Sequence, residues 1–228
     1  MDISKIPFLN KRIKFPVAPH IPGGITTPEQ LRQIAAIAAS RSCRIKISGN
    51  TLTLLDLPAA DGAAVLEELG CQGESFINSA VRGVNFCPGK GDCPRGMQNS
   101  SELGLELDRI FFAQETPGKV RIAVSGCPNC CAECFVRDIG LFGTASGYTL
   151  LVGGSSGRQA RIATEVRRSI DGAAVPALIE AILAYYRQHG KAKERLGAML
   201  DRTGWAAFQT YLDQASGNAE ERRAQAAE

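Results

Sequence analysis

Cys127-Pro128-Asn129-Cys130-Cys131-Ala132-Glu133-Cys134 places four thiols within eight residues, far more than a hydrophobic core uses. A second pair lies upstream in Cys87-Pro88-Gly89-Lys90-Gly91-Asp92-Cys93. Soft thiolates on short turns select iron–sulfur clusters, zinc or Cu(I). The spacing offers two pairs, Cys87 with Cys93 and Cys127 with Cys131 or Cys130. Proline follows Cys87, Cys93 and Cys127, fixing φ and removing a backbone donor each time. Gly89 and Gly91 permit tight turns that let backbone amides approach inorganic sulfide. A cubane cluster takes four thiolates with amide donors around its sulfurs. It suits this pattern better than a structural zinc site, whose pairs read C-x2-4-C.

Disulfides are the competing use of eight cysteines, and they belong to oxidising compartments. No apolar signal segment opens the chain, since Met1-Asp2-Ile3-Ser4-Lys5 runs into Lys11, Arg12 and Lys14. A reduced cytoplasm is therefore the expected address. Cys43 and Cys71 stand apart and read as small hydrophobes. The net charge of +3 is too small to imply nucleic-acid binding, and no apolar run reaches the roughly 18 residues of a membrane span. Two histidines, His20 and His189, exclude a His-rich metal site.

Taken in order, residues 1–18 are basic and broken by Pro7 and Pro16, an extended arm. Thr27, Pro28 and Gln30 supply an N-cap, a proline at the first helical position and a capping partner. Leu31, Ile34, Ala35 and Ala38 are the expected apolar face of that helix. Arg44–Ser48 and Thr51–Leu54 alternate about Gly49-Asn50, the pattern of a β-hairpin. A short helix over 61–69 ends at Gly70, and 72–79 reads as a linker. Val81 to Phe86 is an expected strand delivering Cys87. A helix capped at Asn99, Ser100 or Ser101 follows, with Leu103, Leu107, Ile110 and Phe111 on its face. Lys119 to Ser125 is the next expected strand, ending at Cys127. Strands near 139–141 and 148–152 precede the glycine loop Val152-Gly153-Gly154-Ser155-Ser156-Gly157-Arg158. That loop lacks the G-x-G-x-x-G of a dinucleotide site. An amphipathic helix over 175–189 and shorter helices near 193–200 and 205–212 form a C-terminal cap. The tail beyond Ser216 carries no large apolar residue and reads as frayed.

Ser125-Gly126-Cys127-Pro128-Asn129-x-Cys131, preceded by the C-x5-C at Cys87 and Cys93, resembles the signature of the nitrite and sulfite reductase family. The resemblance extends through His20-Ile21-Pro22-Gly23-Gly24-Ile25, Arg137-Asp138-Ile139-Gly140-Leu141 and Gly147-Tyr148, from about Pro19 to about Gly154. Several ordered blocks make it far more specific than a CxxC.

The resemblance implies an α+β chain: a ferredoxin-like α+β half-domain over 19–72, packed on a sirohaem and iron–sulfur α/β domain over 80–173. Helices over 174–215 and a tail over 216–228 complete it. It implies a [4Fe-4S] cluster held by Cys87, Cys93, Cys127 and Cys131, with Cys131 also bridging to the iron of sirohaem. Cys130 stands where many members carry glycine, and Cys134 is likewise extra. Asn129 in the motif, with Arg158 and Arg161 at the Gly-Gly loop, would meet the sirohaem, the arginines at its carboxylates. Arg82, Lys119, Arg121 and His20 match positions that bind or protonate the substrate anion. The implied activity is six-electron reduction of sulfite to sulfide. Nitrite reduction to ammonia is the close alternative, and an electron-carrying 4Fe-4S protein without sirohaem the more distant one. Without a flavin or nicotinamide motif, electrons would come from an external donor such as ferredoxin. Two-repeat members draw the cluster and the anion-binding residues from different repeats. This single copy implies either a two-fold homodimer or a monomer in which one copy suffices.

Overall fold

Thr27 begins the first helix as expected. Its hydroxyl accepts from the Gln30 amide at 3.1 Å, and the Gln30 side chain accepts from the Thr27 amide at 3.0 Å. The computed structural model describes residues 16–74 and 79–225. The expectations for 1–15, for 75–78 of the linker and for 226–228 lie outside it. Two compact units divide at residue 78.

In the first unit, α1 (Pro28–Ser40) is followed by the hairpin β1 (Arg44–Ser48) and β2 (Thr51–Leu55), then α2 (Gly62–Glu68). The buried face of α1 is Ile34, Ile37 and Ala38; Leu31 and Ala35 are exposed. The expected stripe is therefore displaced by about one position, because Ile37 packs with Leu52, Leu54, Leu57 and Val65. Val17 pairs with Leu54, while all five residues of β1 are exposed.

The second unit is built on five strands in the order β3 (Asn85–Phe86), β4 (Ile122–Ser125), β5 (Ile139–Thr144), β6 (Gly147–Val152) and β7 (Thr164–Ile170). β3, β4 and β5 run parallel; β6 is antiparallel to β5, and β7 antiparallel to β6. β4 is buried at every residue, as a parallel strand covered on both faces must be. Helix α3 (Ser100–Phe111) links β3 to β4 and buries Leu103, Leu107 and Phe111, with Ile110 packed partly against the core.

Two expected strands are shorter than the alternation suggested, and two buried carboxylates explain it. The Val84 amide donates to Asp108 at 2.8 Å, so Val81 keeps only an isolated bridge to Val120 and β3 starts at Asn85. The Arg121 amide donates to Asp138 at 2.8 Å, so β4 starts at Ile122. β7 was not anticipated. Thr164-Glu165-Val166-Arg167-Arg168-Ser169-Ile170 has few apolar residues because it is the sheet's edge, where charge is tolerated and protects against edge pairing.

Three helices close the chain: α4 (Val175–His189), α5 (Leu196–Thr203) and α6 (Trp205–Gln225). Leu178, Ile182, Leu183 and Tyr186 of α4 are buried as expected, joined by Ile179 and Tyr185. α5 starts later than expected, because Lys193 takes a left-handed φ of 64° that a helix cannot contain. α6 is helical to Gln225, and the Ala, Glu, Arg and Gln of its last turns are strong helix formers.

Gly104 of α3 lies so close to β3 that a Cβ would stand 2.2 Å from a Phe86 ring carbon. Gly104→Ala should therefore destabilise the protein by about 2 kcal/mol through overpacking, read as a lowered urea midpoint. Glu106→Ala, on the exposed face of the same helix, should change the midpoint little.

Candidate cofactor and anion site

Parallel pairing of β3 with β4 sets the two cysteine loops side by side. Phe86 registers with Val124, the Cys87 amide donates to the Val124 carbonyl at 3.1 Å, and the Gly126 amide donates to Cys87 Sγ at 3.1 Å. Both loops leave the carboxyl ends of neighbouring parallel strands, the usual place for ligands in such sheets. The first loop folds back so that the Met97 and Gln98 amides donate to the Gly126 carbonyl at 2.8 and 3.0 Å. Only glycine allows this closeness. A Cβ at Gly126 would lie 2.9 Å from Gly89 Cα, and one at Gly96 would lie 2.5 Å from the Gly89 carbonyl carbon.

The eight cysteines are free thiols. Cys127 is buried, Cys87 and Cys93 half-buried and Cys131 exposed, as is Asn129 beside it. Cys130 is held at a φ of 50°, a conformation that favours glycine, and its side chain turns to Cys134. The two thiols pack together, and their interaction raises the Cys130 thiol's pKa and lowers that of Cys134. Cys134 is fully buried, with its sulfur 3.0 Å from the Leu141 carbonyl and 3.2 Å from Ser125 Oγ. The two extra cysteines thus engage each other.

Among the described residues, no three His, Cys, Asp or Glu side chains converge on a point that could hold one ion. A cubane offers a separate iron to each thiolate. Four cysteines spread over two touching loops, with an amide already aimed at one sulfur, fit that group.

A second cluster lies at the other end of β4. Asp138, fully buried just before β5, accepts from the Arg195 guanidinium at 2.6 and 2.8 Å and from the Arg121 amide. Burial pushes the Asp138 carboxyl's pKa up, and Arg195 opposes it by hydrogen bond and charge. Lys119, half-buried nearby, has its pKa lowered by burial and by the positive charges of Arg121, Arg195 and Arg82. Arg121 is similarly lowered by burial and by Arg137 and Arg195. Three residues singled out in the sequence, Arg82, Lys119 and Arg121, are therefore brought together. His20 belongs to the first unit, where its Nδ1 meets Glu74 Oε1 at 2.8 Å.

Arg195 also lines a cleft of about 640 Å³ with Gly153, Gly154, Arg158, Arg161 and Lys193. The loop closes through reciprocal backbone bonds between Ser155 and Arg161 at 2.9 and 2.8 Å. Arg158 is exposed on it. Arg161 is paired with Asp201 and lies over the Trp205 ring at 6.0 Å. Arg137 and Arg161 each keep a buried Nε without a protein partner. The sequence reading overlooked Arg195, Lys193 and Arg137 as site residues. The alternation Lys191-Ala192-Lys193-Glu194-Arg195 was the available signal, and it was absorbed into a helix that starts only at Leu196.

Breaking the Asp138 pair should be costly. Arg195→Ala strands a buried carboxylate and should lose about 3 kcal/mol of stability at neutral pH, read by urea unfolding. The deficit should shrink as pH falls. In the variant the folded-state pKa of Asp138 lies above the unfolded value, so stability falls as pH rises through it. Lys119→Ala removes a like charge and should leave stability within about 0.5 kcal/mol.

Comparison with known proteins agrees with this geometry. The nitrite and sulphite reductase 4Fe-4S domain matches residues 78–219, and the nitrite/sulfite reductase ferredoxin-like half domain matches residues 14–70. The assimilatory-type sulfite reductase of Nitratidesulfovibrio vulgaris is 32% identical over 200 residues, covering 85% of this chain and 89% of that protein. A Bacillus subtilis nitrite reductase [NAD(P)H] is 31% identical over 201 residues, covering 87% of this chain but 25% of its own length. Among solved structures, Mycobacterium tuberculosis NirA superposes with a TM-score of 0.77 at 19% identity, over 90% of this chain and 40% of that one. Dissimilatory sulfite reductase I gives 0.76 at 15%, over 88% and 69%. These two likenesses show the fold, and the matched domains with the 32%-identical relative place this chain in the nitrite and sulfite reductase family.

Proposed function

We propose that this chain is a sulfite reductase, taking sulfite to sulfide by six electrons at a sirohaem coupled to a 4Fe-4S cluster. The observation that carries the reading is the thiol cradle closed by Gly89, Gly96 and Gly126 at the carboxyl ends of β3 and β4. Cys87, Cys93, Cys127 and Cys131 would hold the cluster. Cys131, the exposed member, would face the sirohaem, with Asn129 next to it. When bound, the cluster would relay the donor's electrons and the sirohaem would supply the iron at which sulfite is reduced.

The remaining work falls to the chain's own side chains. Arg121 and Arg195 offer fixed positive charge to an oxyanion, and Arg82 adds to it. Lys119 is suited to give a proton from Nζ to substrate oxygen, since its lowered pKa weakens its hold on that proton. Arg158 and Lys193 would supply donors for cofactor carboxylates in the cleft, with the Arg161 guanidinium, paired to Asp201, beside them.

Nitrite suits the same cations. Sulfite ranks first because this chain spans 89% of the N. vulgaris sulfite reductase, against 25% of the B. subtilis nitrite reductase. An external donor such as ferredoxin would bring the electrons. No helix among the described residues is long and apolar enough to cross a membrane. The thiols and the Lys119–Arg195 cations lie beyond opposite ends of β4, which favours a two-fold dimer in which each copy lends cations to the other's haem. Light scattering of the active protein at the mass of one chain would remove the dimer.

Purified without oxygen, the protein should show strong Soret and red-region bands over a broad iron–sulfur absorbance, and turn over sulfite with a low-potential donor. Cluster absorbance without those bands would favour the electron carrier, and a large preference for nitrite would reverse the order of substrates. Cys131→Ser should lose the coupled sirohaem spectrum while Cys43→Ser keeps it. Equal behaviour of the two variants would overturn the ligand assignment.

A further inference from the structure

Ser100, the first residue of α3, is fully buried against the cysteine loop. Its Oγ lies 3.2 Å from Cys87 Sγ and 2.9 Å from the Cys87 carbonyl oxygen. The Gly126 amide reaches the same sulfur at 3.1 Å. The loop presses directly on this hydroxyl, since a Cβ at Gly89 would stand 2.6 Å from Ser100 Oγ.

A hydroxyl carries one proton, and here two acceptors compete for it. Either atom of a thiol–hydroxyl pair can donate, but a metal-bound thiolate has no proton left to give. In that state Ser100 is the donor of the pair. The competing carbonyl has another hydroxyl within reach, Ser101 Oγ at 3.5 Å, which bonds mainly to the Pro88 carbonyl.

We propose that Ser100 is a positioning residue which, with the Gly126 amide, holds Cys87 as a doubly hydrogen-bonded thiolate and raises the reduction potential of the cluster. The inference rests on Cys87 being a cluster ligand. Reduction adds negative charge that is shared with the ligand sulfurs, and hydrogen bonds to charged acceptors strengthen with that charge. Donors at the sulfur therefore favour the reduced cluster, one of the levers that set such potentials.

The test is an EPR-monitored redox titration of the holoprotein and its variants, with iron and sulfide content measured on each sample. Ser100→Ala should lower the equilibrium constant for one-electron reduction of the cluster about tenfold, a negative shift of about 59 mV. Ser100→Thr keeps the hydroxyl and should restore the wild-type potential. Ser101→Ala should leave it unchanged. A Ser100→Ala protein with full cluster content and an unshifted potential overturns the proposal. So does an equal shift in Ser101→Ala, which would trace the effect to the loop carbonyls. If Ser100→Ala folds but takes up no cluster, the residue is needed for assembly and the tuning role is wrong. A wild-type protein without a cluster would instead defeat the reading beneath it.

Discussion

Everything about the thiol site follows from one pairing, the parallel contact of β3 with β4. Two residues of β3 are enough, because the ladder continues past the strand: the Cys87 amide still bonds to Val124, and Gly126 then turns its own amide onto the Cys87 sulfur. Parallel neighbours end on the same side of a sheet, so cysteines thirty-four and more residues apart in sequence emerge together. Glycine at 89, 96 and 126 removes the side chains that would hold the loops apart. The gain is geometric: two loops distant in sequence leave the sheet side by side.

The opposite end of β4 is governed by charge. Asp138 sits under a group of cations that would otherwise repel one another, and one carboxylate anchors Arg195 while taking the Arg121 amide out of the sheet. At an effective dielectric near 20, like charges about 4 Å apart cost on the order of 4 kcal/mol, so such a group persists only with a buried counter-charge. An arrangement that is cationic, partly dehydrated and pinned from beneath is suited to an incoming oxyanion. It also explains why Lys119 is a weaker base than a surface lysine.

Much of the fold was legible because local chemistry and tertiary packing agree. The Thr27–Gln30 box, the Gly49-Asn50 hairpin and the α4 face each follow from a few residues whose preferences the core does not contradict. Where the reading failed, a distant group decided. Asp108 and Asp138 captured amides that the alternation of Val81–Phe86 and Lys119–Ser125 had assigned to the ladder. β7 was hidden because an edge strand needs little apolar surface. In the site, the two cysteine-rich stretches stand out in the sequence by spacing, while the choice of Cys131 over Cys130 came from the family resemblance. Arg195 does not stand out, since its role comes from a carboxylate fifty-seven positions earlier. Cys130 is the subtler case: a left-handed backbone and a partner at Cys134 are invisible in a string of letters, and together they direct it toward Cys134.

The most direct measurement of the central claim is the iron and acid-labile sulfide content of protein isolated without oxygen. A cluster held by two touching loops and coupled to sirohaem predicts about four sulfides and about five irons per chain. A folded protein carrying zinc, or one carrying neither iron nor sulfide, would contradict it.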